Sequence, residues 1–91
     1  MFRKITAVIY FKIESKIGEW VKIFDSKEVD LRHSAFDIKL LFRGCIKDDP
    51  KKVICIQQAP EGNIQKFLQA NSEWIKNHKV DFSTMEESYW I

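Results

Sequence analysis

Two cysteines and two histidines are the side chains of this sequence that most readily take part in chemistry. Cys45 and Cys55 flank "KDDPKK", a stretch with the Asp and Pro residues typical of a turn. If that turn centres on Asp49 and Pro50, the two cysteines face each other across a hairpin, near disulfide distance. No other Cys or His stands at a metal-binding spacing, so no metal site is predicted. We predict reduced thiols that fill space as small apolar groups.

His33 is the candidate general base of the sequence, because an imidazole titrates near neutral pH. A general base needs an orienting neighbour and a substrate within hydrogen-bond reach, and no spacing in the sequence supplies either. We therefore predict a structural or surface role for His33 and assign no catalytic residue. His78 lies near the end of a predicted helix, where it is expected to act as a cation or polar cap.

Length and composition predict one globular domain over residues 1–91, with 45% hydrophobic and 31% charged residues. The net charge of +2, with the signs mixed along the chain, predicts neither a nucleic acid nor a membrane partner. The N-terminal "MFRKITAVIYFKI" has only a short apolar run, interrupted by Lys12 and Glu14, and no small-residue cleavage site follows it. We expect a strand there, in a cytoplasmic protein.

Apolar periodicity predicts four strands and two main helices. The strands are expected at 4–13, 39–47, 52–59 and 80–91, and the helices from about 16 to the high 20s and over 59–79. Residues 28–37 are less periodic and could form a short helical turn with Leu31 and Phe36 inward. The order β-α-β-β-α-β predicts a ferredoxin-like α+β sandwich, in which a four-stranded antiparallel sheet carries both helices on one face.

The second face of such a sheet is left without helices, and the strand pattern predicts that it is apolar here. The residues assigned to it are Val8, Tyr10, Leu41, Arg43, Cys45, Val53, Cys55 and Gln57. An apolar face of this kind is usually covered, and a second copy of the chain is the simplest cover. We therefore predict a homodimer that pairs sheet to sheet, with Arg43 in an intersubunit salt bridge or holding a carboxylate.

The opposite, helix-facing side is expected to be rich in large rings. Helical or strand position assigns to it Trp20, Phe24, Phe36, Phe42, Phe67 and Trp74, with His33 at the mouth of a cavity. Helical spacing alone predicts core packing for these rings. The alternative is that some of them line an elongated apolar pocket for a small molecule such as a fatty acid or an aromatic compound.

The stretches "GEWVKIFDSKE" and "LLFRGCIKDDPKKVICIQQAPEG" resemble a family of short uncharacterised proteins from marine cyanobacteria, with "KDDP" and "QAPEG" as the most specific points. The resemblance implies the dimeric α/β-barrel superfamily and brings no activity with it. Haem-degrading members of that superfamily resemble one another in an Asn on the first strand and in a Trp and a His associated with the second helical segment. This chain has the Trp and the His, as Trp74 and His78, but its first strand "KITAVIYFKI" has no Asn. No cofactor is therefore expected.

Three functions compete at this point. The first is a homodimeric binding protein for a small, largely apolar ligand. The second is a cofactor-independent monooxygenase or isomerase of the antibiotic-biosynthesis type, with His33, Trp20 or Trp74 near the substrate. The third is RNA binding, which shares the β-α-β-β-α-β order but needs strand aromatics that "KVICIQQA" lacks. The sequence favours ligand binding over catalysis.

Overall fold

The sheet is built around a central strand whose alternation follows the predicted pattern. The computed structural model describes residues 3–91. Its elements in chain order are β1 (Lys4–Ile13), α1 (Ile17–Phe24), α2 (Lys27–Ser34), β2 (Lys39–Ile46), β3 (Asp49–Pro60), α3 (Asn63–Ala70), α4 (Ser72–Asn77) and β4 (Val80–Trp90). The strands pair in the order β2-β3-β1-β4, and every pair is antiparallel. This is the predicted ferredoxin-like arrangement.

The odd-numbered residues of β1 form the floor of the core. Ile5, Ala7, Ile9, Phe11 and Ile13 are all buried, whereas the even positions between them are half-buried or exposed. Successive side chains of a strand point to opposite faces, so one face of β1 meets the helices and the other does not. The hydrophobic core lies between that helix-facing side and the apolar stripes of the helices.

The first predicted helix is two helices, because the chain turns at Asp25 and Ser26. Ser26 caps α2 through a bond in which the Val29 N–H donates to its hydroxyl oxygen at 3.4 Å. The helical turn predicted within 28–37 is thus part of α2, and its inward residues are Val29 and His33. Leu31, predicted to point inward, is 58% exposed. It is two residues from both Val29 and His33, and two residues correspond to a rotation of about 200° around the helix axis.

The second predicted helix is also divided, into α3 and α4, at Asn71. The Asn71 side-chain amide donates to the Phe67 carbonyl one turn back at 3.1 Å, and the residue leaves helical geometry at φ −109° and ψ 13°. A short polar side chain that competes for backbone groups is a common cause of such breaks. The break lets α4 lie against β4 while α3 lies against β3.

The β2–β3 hairpin turns earlier than predicted. The turn residues are Lys47 and Asp48, so Pro50 already belongs to β3. Cys55 therefore lies opposite Arg43, and Cys45 lies opposite Val53, so the predicted pairing of the two cysteines is wrong. Both thiols are free within residues 3–91; Cys55 is buried, whereas Cys45, which was also predicted to fill space, is exposed.

Pairing with β1 fixes which face of β3 is buried. Ile9 lies opposite Cys55 and Phe11 opposite Val53, so both partners share the helix-facing side of β1. Five residues predicted for the face without helices, namely Arg43, Cys45, Val53, Cys55 and Gln57, lie instead on the helix-facing side. A further irregularity between Leu40 and Phe42 turns Leu40 toward the core and Phe42 away from it.

The sheet surface away from the helices has an apolar part, flanked on β4 by the polar residues Glu86 and Ser88, and its residues are largely not the predicted ones. We call it the open face and define it by Val8, Tyr10, Phe42, Ile54, Ile56 and Trp90. Val8 and Tyr10 were predicted there, and the exposed Leu41 lies at the β2 irregularity beside it. Phe42, predicted for the ligand cavity, is 56% exposed on the open face, where its ring covers the position of a Gly44 Cβ.

Candidate functional site

A cavity of about 70 Å³ lies between the helices and the helix-facing side of the sheet. Strand residues that line it are Ile9, Phe11, Cys55, Gln57, Val80 and Met85, and helix residues are Trp20, Ile23, Phe24, Val29, His33, Phe67, Leu68, Trp74, Ile75 and His78. The strand floor and the α2 wall are buried, whereas the α4 residues and Met85 are half-buried. The half-buried residues therefore form the rim toward solvent.

Stacked rings hold one wall of the cavity in place. Trp20 stacks on Phe24 with ring centroids 4.7 Å apart, and the imidazole of His33 stacks on Phe67 at 4.3 Å. Phe24 meets His33 edge to face at 5.8 Å, which joins the two pairs into one row. Rings in these arrangements attract one another beyond the area they bury. The helices α1, α2 and α3 are thus held at a fixed spacing around the cavity.

His33 enters the cavity from α2 as a neutral imidazole. Its Nδ1 lies 2.8 Å from the Val29 carbonyl oxygen, which can only accept, so Nδ1 carries the proton. Burial lowers the pKa of His33 by disfavouring the charged ring, against opposing contributions from the Val29 carbonyl and from Asp30. At neutral pH the other ring nitrogen, Nε2, is therefore unprotonated and can only accept a hydrogen bond.

Gln57 supplies the second polar group of the cavity, from the middle of β3. Its side-chain amide nitrogen faces His33 Nε2 at 3.4 Å, so Gln57 donates a long hydrogen bond to the imidazole. Gln57 is only 4% exposed. Among residues 3–91 its amide oxygen, Oε1, has no hydrogen-bond partner. The inner, buried part of the cavity lining thus has two polar side chains, His33 and Gln57, and the Gln57 amide oxygen is an unpaired acceptor.

The rim is tied together by Trp74 and its neighbours. The Arg32 guanidinium lies 4.5 Å from the centroid of the Trp74 ring, and its Nη1 donates to the Asn71 side-chain oxygen at 2.8 Å. His78 stacks on Trp74 at 4.1 Å and donates from Nδ1 to the Trp74 carbonyl oxygen at 2.7 Å. His78 is the C-cap of α4, close to its predicted position, and it also lines the cavity.

Most of the predicted cavity residues come together in the structure. Trp20, Phe24, His33, Phe67 and Trp74 line the cavity. Phe36 packs edge to face on Phe67 at 5.8 Å, outside the lining, and Phe42 is on the open face. The strand residues Gln57, Cys55 and Met85 were missed as cavity residues. A correct choice of the buried face of β3 would have found Gln57 and Cys55.

The remaining predicted chemistry takes simpler forms. Burial raises the pKa of the Cys55 thiol to about 12, so it stays protonated and unreactive at neutral pH. Arg43 forms a two-pronged pair with Asp25 within the chain, through Nε–Oδ1 at 2.9 Å and Nη2–Oδ2 at 2.5 Å. That pairing lowers the pKa of Asp25 and anchors the end of α1 to β2.

Residues 3–91 bring no group of three His, Cys, Asp or Glu side chains together in a way that could hold a metal ion. No helix within the same residues is long and apolar enough to span a membrane.

Comparison with known proteins identifies a family and a set of structural neighbours. A family model described as "Domain of unknown function (DUF3764)" matches residues 4–91. A NIPSNAP family protein from Agrobacterium tumefaciens is similar in structure with a TM-score of 0.69 at 13% identity, over 98% of this chain and 92% of that one. A NIPSNAP-like domain protein from Burkholderia xenovorans gives 0.68 at 8% identity, over 100% and 86%.

A third neighbour has an assigned activity. SnoaB from Streptomyces nogalater, a cofactor-independent oxygenase, is similar with a TM-score of 0.57 at 15% identity, over 97% of this chain and 91% of that one. A comparison with curated proteins gives no match. At these identities the structural likeness establishes the ferredoxin-like fold, and function has to be argued from the site.

Proposed function

The chain belongs to the DUF3764 family, and we propose that this member is a homodimeric protein that binds a small, largely apolar ligand between its helices and its sheet. The observation that carries the proposal is the cavity with stacked aromatic walls and two polar groups at its inner end. Protein cores are close-packed, with few voids larger than a water molecule. A mostly apolar pocket with a few convergent polar groups is the usual form of a small-molecule site.

The size of the cavity limits the ligand. Pockets for drug-sized molecules measure roughly 300–1,000 Å³, and this one measures about 70 Å³. A ligand the size of a single ring needs only small movements of the half-buried rim residues Trp74, Ile75 and Met85. A polycyclic molecule or a long acyl chain needs α4 to move away from the sheet.

The open face supports the homodimer. Phe42 and Trp90 are 56% and 60% exposed, and they border the apolar side chains of β1 and β3. Contiguous apolar surface of this kind on a small domain marks an interaction site. Twofold symmetry is the commonest symmetry of protein assemblies, and a twofold axis would bring the same face of two copies together.

A cofactor-independent oxygenase is the second candidate, and His33 is the observation that favours it. A neutral imidazole with an unprotonated Nε2 can take the proton of a phenol that displaces the long hydrogen bond from Gln57. This leaves an electron-rich anion for dioxygen to oxidise. SnoaB, a cofactor-independent oxygenase, shares the fold. The candidate ranks second because a polycyclic phenol exceeds the cavity volume.

The test is a melting-temperature screen of the purified protein with fatty acids, quinones and single-ring aromatics. A ligand at ten times its Kd stabilises by about 1.4 kcal/mol, which raises the Tm of a small domain by about 5–10 °C. Leu68→Trp, which fills the rim, should abolish the shift, whereas Leu31→Trp, on the exposed side of α2, should retain it.

An unchanged Tm across the whole panel would contradict the binding proposal. Each mixture is also analysed by mass spectrometry after incubation in air. A phenol that gains oxygen with the parent protein, but not with His33→Ala, would move the oxygenase to first place.

A further inference from the structure

The polar end of the cavity carries an unmet hydrogen-bonding requirement. Gln57 Oε1 is buried without a partner among the described residues, on a side chain that is 4% exposed. A buried acceptor left unpaired costs about 1–3 kcal/mol, and buried polar groups in native proteins are nearly always paired. Because Gln57 lines the cavity, a molecule held there is the nearest available partner for this oxygen.

The geometry decides which kind of atom is unmet. The Val29 carbonyl fixes the proton of His33 on Nδ1, so Nε2 can only accept. The amide nitrogen of Gln57 is the end that faces Nε2, and this leaves the amide oxygen as the end without a partner. Nε2 already accepts from Gln57, so the acceptor left for a ligand at the inner end is Oε1.

We infer that the ligand is a neutral aromatic molecule of single-ring size with a hydroxyl group that donates to Gln57 Oε1. The inference rests on the proposed function, since it names the chemical class that the same cavity takes. A quinone or an ether offers only acceptors, and the unpaired Gln57 Oε1 is itself an acceptor. A carboxylate has no cation to meet, because no lysine or arginine of residues 3–91 lines the cavity.

The walls and the volume set the rest of the molecule. The ring would lie among Trp20, Phe24 and Phe67, which offer apolar faces and edges. An engineered apolar cavity of about 150 Å³ holds benzene, whereas this one measures about 70 Å³. One ring is accordingly the largest body that enters with movement of the rim alone.

Three probes of nearly equal size isolate the hydroxyl. Phenol donates a hydrogen bond, anisole only accepts, and toluene does neither. Calorimetry measures the ratio of the anisole Kd to the phenol Kd for the parent and for Gln57→Met, which keeps the length of the side chain. Comparing that ratio between proteins cancels the cost of stripping water from phenol. We expect it to fall about tenfold in Gln57→Met, equivalent to about 1.4 kcal/mol.

Gln58→Met is the matched control. Gln58 is the next residue of β3, points to the opposite side of the sheet and donates to Thr6. This variant should keep the parent ratio within about twofold. A crystal structure of the parent with phenol should place the phenol oxygen within hydrogen-bond distance of Gln57 Oε1, and it tests the inference even if Gln57→Met does not fold.

The outcomes separate the inference from the proposal beneath it. If all three probes bind and the ratio is the same in parent and Gln57→Met, the hydroxyl inference is overturned while binding of apolar ligands stands. The same holds if a tightly held water remains on Gln57 Oε1 in the phenol complex. If no probe and no compound of the wider screen binds, both fail.

Discussion

His33 shows how a single residue takes its properties from its surroundings. Rings from α1 and α3 border the imidazole, and the carbonyl of Val29 holds its Nδ1 proton. The His33 ring is therefore shielded from the water that would stabilise its charged form. The backbone bond and nearby Asp30 favour the charged form, but burial outweighs them and lowers the pKa of His33.

This lowered pKa predicts a dependence of stability on pH. The unfolded chain takes up a proton on His33 near its ordinary pKa of 6.5, whereas the folded chain takes it up only at lower pH. The free energy of unfolding should therefore be highest above pH 6.5 and fall as the pH drops below that value. One group contributes a slope of at most about 1.4 kcal/mol per pH unit.

Urea unfolding at pH 5, 6, 7 and 8, for the parent and for His33→Gln, measures this contribution. Other titrating groups are common to both proteins, so the difference between the two curves belongs to His33. The free energy of unfolding of the parent, relative to that of His33→Gln, should fall from pH 7 to pH 5. Parallel curves across this range would show that the pKa of His33 is the same in the folded and unfolded chain.

At the scale of elements, β3 is the strand whose buried face was predicted wrongly from the sequence. The alternation of β1 alone identifies its buried face, because its polar residues fall on even positions. β3 contains "VICI", which is apolar at every position, so alternation does not say whether Val53 and Cys55 or Ile54 and Ile56 are buried. Pairing with β1, across a long separation in sequence, settles the question.

The position of the β2–β3 turn was also predicted wrongly from local sequence. Asp49 and Pro50 have turn chemistry, yet Asp49 acts just outside the turn, where its carboxylate accepts from the Lys51 N–H at 3.0 Å. The order of elements and most of the aromatic cavity wall follow from local periodicity. Gln57, the key polar residue of the cavity, depends on strand pairing and could not be placed from periodicity.

The two cysteines give a direct test of the β2–β3 placement. With a pKa of about 12, the Cys55 thiol is ionised in only about one molecule in 10⁴ at pH 8, and it is also buried. Cys45 is exposed on the helix-facing side and stays accessible if two open faces meet. N-ethylmaleimide should thus modify Cys45 rapidly and Cys55 only after unfolding.

Mass spectrometry of intact protein at successive times would show one adduct in the folded state and two in urea. Cys45→Ala provides the control, since it should abolish the fast reaction and leave the slow one. Rapid modification of both thiols in the folded protein would contradict the buried position of Cys55.

At the scale of the whole molecule, residues 3–91 form one sheet with helices on only one of its sides. A domain of this size buries only about two thirds of the surface of its unfolded chain. The helix-facing core uses much of the apolar content, yet Tyr10, Phe42 and Trp90 remain exposed across the other face. Structural neighbours with 8–15% identity share the fold, so the fold tolerates nearly complete change of sequence.

The proposed homodimer predicts the effect of one charge on the open face. Phe42 lies on β2 opposite Ile56 and is 56% exposed. Phe42→Lys would place an ammonium group on the β2 side of a sheet-to-sheet interface, where burial of an unpaired charge costs several kcal/mol. Leu31→Lys, at a residue 58% exposed on α2, makes the same chemical change on the helix side.

Size-exclusion chromatography with light scattering measures the mass in solution, given 10.8 kDa for one chain. The parent and Leu31→Lys should give twice that mass, and Phe42→Lys should give the mass of one chain at micromolar concentration. Circular dichroism of Phe42→Lys confirms that the separated chain is folded. A parent protein that elutes as a single chain at every concentration would leave the open face without a second copy, and its cover would then have to be a different molecule.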